Sequence, residues 1–139
     1  MLKDFLILKK ITLFILPYIF LYGLYIQING EISPGGGFQA GVIFSSCLIA
    51  FDLIHGKKIS EKYFNTELLI VIATLGVLIY ASTGLISLFF NKNYLNYYVL
   101  NSNKLIAQNI GIFIIEIGVG LTVASVMYLI YSLFQEDMK

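Results

Sequence analysis

Four long apolar stretches constrain this chain more than any other feature of its sequence. They cover residues 11–28, 38–54, 68–90 and about 110–134. A helix needs about 20 mostly apolar residues to cross the hydrocarbon core of a bilayer. The stretches are continuous rather than alternating in polarity, which argues against a transmembrane β-barrel. The sequence therefore predicts an all-α integral membrane protein, a single domain over residues 1–139 with four transmembrane helices.

The composition excludes several classes of function. Hydrophobic residues make up 58% of the 139 residues, only 12% are charged, and the mean hydropathy is +0.85, whereas a soluble domain is about one quarter charged. The net charge of +1 offers no basic face for a nucleic acid. A single His and a single Cys do not make a metal site, so none is predicted. No nucleophile lies beside a base, so the chain is not expected to be an enzyme. No cofactor is expected either.

The lysines predict how the spans are oriented. If the N-terminus lies inside the cell, seven lysines fall on the inner side and two on the outer side. This distribution satisfies the positive-inside rule and predicts that both termini are cytoplasmic. The first span is interpreted as a retained anchor, because it is long and no small-residue cleavage site follows it. The inner lysines are Lys3, Lys9, Lys10, Lys57, Lys58, Lys62 and Lys139, and the outer ones are Lys92 and Lys104.

A glycine-rich loop between the first two spans is the first candidate site. Ser33 and Pro34 are suited to the N-cap and first helical position, so the second span is expected to start there. The glycines carry no side chains, which permits the close approach of another backbone. The loop is either a tight turn or a helix N-terminus that faces a polar cavity or a partner subunit. Its motif residues are Ser33, Pro34, Gly35, Gly36, Gly37, Phe38, Gln39 and Gly41.

Glu116, the only acid in the fourth span, is the second candidate. It lies roughly 9 Å inside the predicted span, where an ionised acid is costly unless it is paired, protonated or wet. It is either a protonated acid bonded to a neighbouring helix or a titrating group on a proton or cation pathway. Small residues on both sides of this helix and on the third span predict close helix packing, and two packed faces predict further subunits. These packing residues are Gly120 and Ala124 beside the acid, Gly118 opposite, and Gly76 on the third span.

Asp52 and His55 form the third candidate, near the cytoplasmic end of the second span. A separation of three residues on a helix allows their side chains to meet. Such a pair is either an ordinary interfacial ion pair or a route for protons between the cytoplasm and the membrane interior, since His titrates near neutral pH.

The residues SPGGGFQAG at positions 33–41 resemble the signature of the B subunit of Mrp-type multisubunit sodium/proton antiporters, the MnhB-like domain. The family's usual string is SPGGGFQGG, so Ala40 adds one methyl group. Leu16-Pro17 and Tyr22-Gly23-Leu24 are similar to the family's first span. The string EIGVGLTV, from Glu116 to Val123, is similar to its closing span, where the acid is often Asp.

This resemblance implies an accessory subunit of an antiporter in the cell membrane of a prokaryote. Na+ and H+ would be the transported ions, and other subunits of the complex and membrane lipid would be the partners. Related domains occur in membrane-bound hydrogenases, so a structural subunit of a hydrogenase or respiratory complex, carrying no ion, stays an alternative. An independent small exporter would usually carry an acid in its first span, and this chain has none there.

Overall fold

Within the part of the chain that the structure describes, four of the five α-helices are long and apolar enough to cross a membrane. The computed structural model describes residues 2–30 and 35–137, with side chains for residues 5–30 and 35–135. Helix α3 is short, and a single 3₁₀ turn, Tyr97–Val99, lies in the loop before the last helix. The helices are α1 (Leu2–Ile28), α2 (Gly37–His55), α3 (Lys57–Tyr63), α4 (Thr66–Phe89) and α5 (Lys104–Asp137).

The prediction of four long apolar helices is confirmed, although two helices extend beyond their predicted spans. Helix α1 begins at Leu2 instead of residue 11, and α5 begins at Lys104 instead of residue 110. Hydropathy identifies the part of a helix suited to lipid, whereas backbone hydrogen bonding continues into flanking polar residues. Helix α3 was not predicted. It follows Gly56, whose φ of 83° breaks the path of α2.

Helix α5 packs between α2 and α4, and small residues set both contacts. On one side, a Cβ added to Gly41 would lie 2.8 Å from the Gly120 carbonyl oxygen. On the other, a Cβ added to Gly118 would lie 2.7 Å from the Gly76 carbonyl oxygen. Thr122 reinforces the second contact by donating to the Ala73 carbonyl oxygen at 3.3 Å. Helices α2 and α4 of this chain therefore cover both faces, so the small residues of α5 do not by themselves indicate further subunits.

The loop between α4 and α5 folds back onto these two helices through aromatic rings. The Tyr94 ring lies against Gly84 of α4, and the Tyr97 ring lies against Gly111 of α5. The Ser87 hydroxyl fixes the loop by donating to the Asn96 carbonyl oxygen at 3.0 Å. Burial raises the pKa of Tyr97, with the neighbouring tyrosine hydroxyls adding to the effect. Glycine thus provides the space for each ring.

The turn between α1 and α2 lies level with the middle of α4. Gly37, the first residue of α2, contacts the main chain of Glu116. Two residues along α5, Gly118 contacts Gly76, which is close to the midpoint of the 24-residue helix α4. The α1–α2 pair is therefore displaced along the bundle axis relative to the α4–α5 pair. On the α2 side, the first turns of α5 are left without a covering helix from this chain over the described residues.

Candidate functional site

The structure brings the glycine-rich loop and Glu116 together. A Cβ added to Gly36 would lie 2.9 Å from the Glu116 carboxylate oxygen Oε1, and one added to Gly30 would overlap the carboxylate. A Cβ added to Gly37 would meet the main chain of Glu116, at 2.8 Å from its carbonyl carbon. The half-buried carboxylate thus lies between the end of α1 and the start of α2. These positions accept glycine alone without a shift of neighbouring atoms.

The carboxylate lies beside a helix N-terminus. Helix α2 begins at Gly37, with Gly36 at the N-cap position and a φ of 78°. The unpaired N–H groups of a first helical turn carry a partial positive charge, which favours a negative group nearby. The partial positive charge at the start of α2 therefore lowers the free-energy cost of holding an ionised Glu116 carboxylate away from water.

The start of α2 corrects one expectation. The predicted N-cap at Ser33 and first helical position at Pro34 lie outside the described residues. Gly35 and Gly36, which follow them, have φ values of 155° and 78° and are not helical. Helix α2 therefore starts at Gly37, one residue before the predicted span of residues 38–54, and not at Pro34. Glycine adopts such positive φ angles easily, so the chain enters α2 through a non-helical backbone at Gly35 and Gly36.

Gln27 joins this site and was missed in the sequence. It lies near the end of α1 with only 8% of its surface exposed. Its side-chain oxygen would be 2.5 Å from a Cβ on Gly120, one turn after Glu116. Within the described part of the chain its Nε2 atom makes no hydrogen bond. An amide side chain in an otherwise apolar span indicates a polar contact. Gln27 is far from Glu116 in the sequence, however, so the sequence did not show that the two lie in one site.

Of the remaining motif residues, some pack beside the Glu116 site and others lie on the exposed surface of the chain. Gly41 packs against Gly120 and Val123, so it continues the α2–α5 contact below the acid. Phe38 and Gln39 are exposed, and the Gln39 side chain lies beside Gly35. Ala124, one turn beyond Gly120, is half-buried. The Gly76–Gly118 contact belongs to the opposite face of α5 and does not touch the carboxylate.

Asp52 lies at the far end of α2, about 22 Å along the helix from Gly37. It is buried, and among the described residues it forms neither an ion pair nor a hydrogen bond with His55, although the sequence spacing would allow a contact. The His55 ring stacks on Phe51 at 4.2 Å, and its Nδ1 lies 3.1 Å from the Phe51 carbonyl oxygen. A spacing of three residues permits a side-chain contact on a helix without requiring it, and here the His55 ring stacks on Phe51 instead of pairing with Asp52.

The fold and this site define a class: an all-helical protein with four candidate membrane spans and an acid held at a glycine-rich turn. Residues 7–129 match the family described as "Domain related to MnhB subunit of Na+/H+ antiporter", and the chain belongs to that family. The resemblance in the SPGGGFQAG and EIGVGLTV segments is thereby confirmed.

Two curated relatives come from bacteria of the genus Staphylococcus. A protein of Staphylococcus haemolyticus named "Putative antiporter subunit mnhB2" is 34% identical over 93 residues, covering 64% of this chain and 62% of the relative. A protein of the same name from Staphylococcus aureus strain Newman is 31% identical over 94 residues, covering 66% of this chain and 64% of the relative. The chain thus aligns with somewhat less than two thirds of these relatives' length.

Proposed function

We propose that this chain is an accessory subunit of a multisubunit Na+/H+ antiporter in a prokaryotic cell membrane. The observation that carries the proposal is the position of Glu116 against Gly30, Gly36 and the start of α2, in a chain of the MnhB-related family. Other membrane subunits and lipid are its partners. Na+ and H+ are the ions that the complex exchanges.

Glu116 is proposed as a titrating or cation-contacting residue of this subunit. It lies about 18 Å along α5 from Lys104, because α5 starts before the predicted span. A carboxylate there can exist as a neutral acid, or as an anion balanced by the helix N-terminus or a bound cation. Alternation between these states is what exchange of a proton for a cation requires. One charge moved across 100 mV supplies about 2.3 kcal/mol for such a step.

Both termini are proposed to be cytoplasmic, and cysteine labelling tests this. We expect Lys92→Cys to react with a membrane-impermeant maleimide added to intact cells, because Lys92 is exposed in the α4–α5 loop. Lys58→Cys, exposed on α3, should react only after the membrane is permeabilised. Cys47 is buried, so the unaltered chain serves as the blank. The reverse labelling pattern would overturn the orientation.

Removal of the chain from its complex tests the function itself. Membrane vesicles from cells that make every subunit should exchange Na+ for H+, measured with a pH-sensitive dye after Na+ is added. Vesicles lacking only this chain should lose most of that exchange, and returning the chain should restore it. A tagged copy should also co-purify with the other subunits. Undiminished exchange without the chain, or a tagged chain that purifies alone, would refute the proposal.

A further inference from the structure

Asp52 is a buried acid without a cationic partner among the described residues. Its exposure is 1%, and its Oδ1 atom has no hydrogen-bond partner. The nearby lysine, Lys57, instead lies 3.8 Å from a Glu61 carboxylate oxygen and donates to the Ser132 carbonyl oxygen at 3.5 Å. A lone carboxylate anion shielded from water is costly, so something must balance it when it is ionised.

Neutral oxygen atoms from α3 and α5 surround this carboxylate. The Tyr131 hydroxyl lies within hydrogen-bonding reach of Asp52. The Tyr128 hydroxyl lies close to Ser60 and within electrostatic range of Asp52. Gln135 joins the cluster by donating from Nε2 to the Tyr131 hydroxyl at 3.3 Å. Three helices thus bring a carboxylate, three hydroxyls and an amide to one place.

Two further oxygen atoms of this cluster are, like Asp52 Oδ1, buried without a hydrogen-bond partner among the described residues. The Ser60 hydroxyl oxygen and the Gln135 Oε1 atom are buried and have no hydrogen-bond partner. Ser60 itself has no exposed surface. Buried polar atoms in proteins nearly always have partners, so these three oxygens leave hydrogen-bonding capacity for a group beyond the described residues.

We propose that Asp52, Ser60, Tyr128, Tyr131 and Gln135 form a binding site for one monovalent cation, with Na+ as its ligand. Oxygen donors suit hard cations, and neutral hydroxyl and amide oxygens complete the coordination without adding charge. The single carboxylate balances one positive charge. Among the described residues, no three His, Cys, Asp or Glu side chains cluster as a transition-metal site would require.

This site is distinct from the Glu116 site. Asp52 and Gly37 stand at opposite ends of α2, about 22 Å apart along its axis. Binding at Asp52 can be measured on the purified chain and does not depend on the antiport proposed above. Different results therefore refute the two proposals. Absence of Na+ binding by the folded chain would refute the Asp52 site, and undiminished exchange without this chain would refute the antiporter role.

Binding of radioactive sodium to the purified full chain in lipid nanodiscs tests the site. We expect saturable binding that excess unlabelled Na+ displaces, and Asp52→Asn should abolish it. Glu67→Gln, which alters an exposed acid in the first turn of α4, should bind Na+ as the unaltered chain does. Circular dichroism and size-exclusion chromatography establish that each variant is folded.

A second variant keeps the proposal falsifiable if Asp52→Asn does not fold. Tyr131→Phe removes one hydroxyl and should weaken Na+ binding by about tenfold, equivalent to about 1.4 kcal/mol. Absence of saturable Na+ binding by the folded, unaltered chain would overturn the proposal. So would unchanged affinity in a folded Asp52→Asn or Tyr131→Phe variant, or binding of divalent cations alone.

Discussion

Replacing Glu116 by Gln should lower Na+/H+ exchange by about a hundredfold while the complex stays assembled. Gln has nearly the same shape, so it fits the space that Gly30 and Gly36 leave for the carboxylate. It cannot take up or release a proton, and it provides no negative charge for a cation. The expected loss corresponds to the lower range of what a positioned proton-transfer group contributes. Dye-monitored exchange in membrane vesicles measures it.

Two further variants identify the cause of such a loss. Glu116→Asp keeps the titrating group but withdraws it by one methylene from Gly30, so intermediate exchange is expected. Glu67→Gln removes an exposed acid at the start of α4 and should leave exchange unchanged. Full exchange by an assembled complex carrying Glu116→Gln would contradict an ion-carrying role. The chain would then serve as a scaffold for the other subunits.

Replacing Gly37 by Ala should reduce the stability of the folded chain by about 3 kcal/mol. The added methyl group would meet the main chain of Glu116, 2.8 Å from its carbonyl carbon and 2.9 Å from its Cα. A helix backbone cannot rotate aside as a flexible side chain can, so the cost belongs at the upper end of the range for overpacking. Denaturant titration in detergent, followed by circular dichroism, measures the change in the free energy of unfolding.

Gly56→Ala is the matched control for this variant. A Cβ at Gly56 would have nothing within 4 Å, but the φ of 83° there disfavours any residue with a side chain. Gly37 shows the opposite combination: it lies in the helix, and its new methyl group would clash. We expect Gly56→Ala to cost only about 1 kcal/mol. A Gly37→Ala chain as stable as Gly56→Ala would show that α2 and α5 accommodate the added methyl group without the expected clash.

The sequence predicted the helices well because apolar length is a local property. Residues 38–54 became Gly37–His55 and residues 68–90 became Thr66–Phe89, within two residues at each end. The start of α4 also has a local cause, since the Asn65 side chain accepts from the Leu68 N–H at 2.7 Å. Helix α3 escaped prediction because seven polar and apolar residues after Gly56 show no span-length pattern.

The sequence predicted the parts of the candidate site separately and did not show that they lie together. Glu116 and the glycine-rich loop were each singled out, yet nothing in their local patterns places them in contact across about 80 residues of chain. One clue is that Gly37 and Gly41 share the four-residue spacing of Glu116 and Gly120, which suits two helices packed along their length. Gln27 belongs to the same site, and its partner could not be inferred from periodicity in α1.

The displacement between the two helix pairs has a consequence for how this chain sits among its neighbours. If α4 crosses the bilayer over its whole length, the backbone of Gly35 and Gly36, level with the midpoint of α4, lies at a depth where hydrocarbon would leave its amides unsolvated. Lipid tails cannot cover such a turn. In that arrangement we expect water or another polypeptide to cover these amides, close to the Glu116 carboxylate.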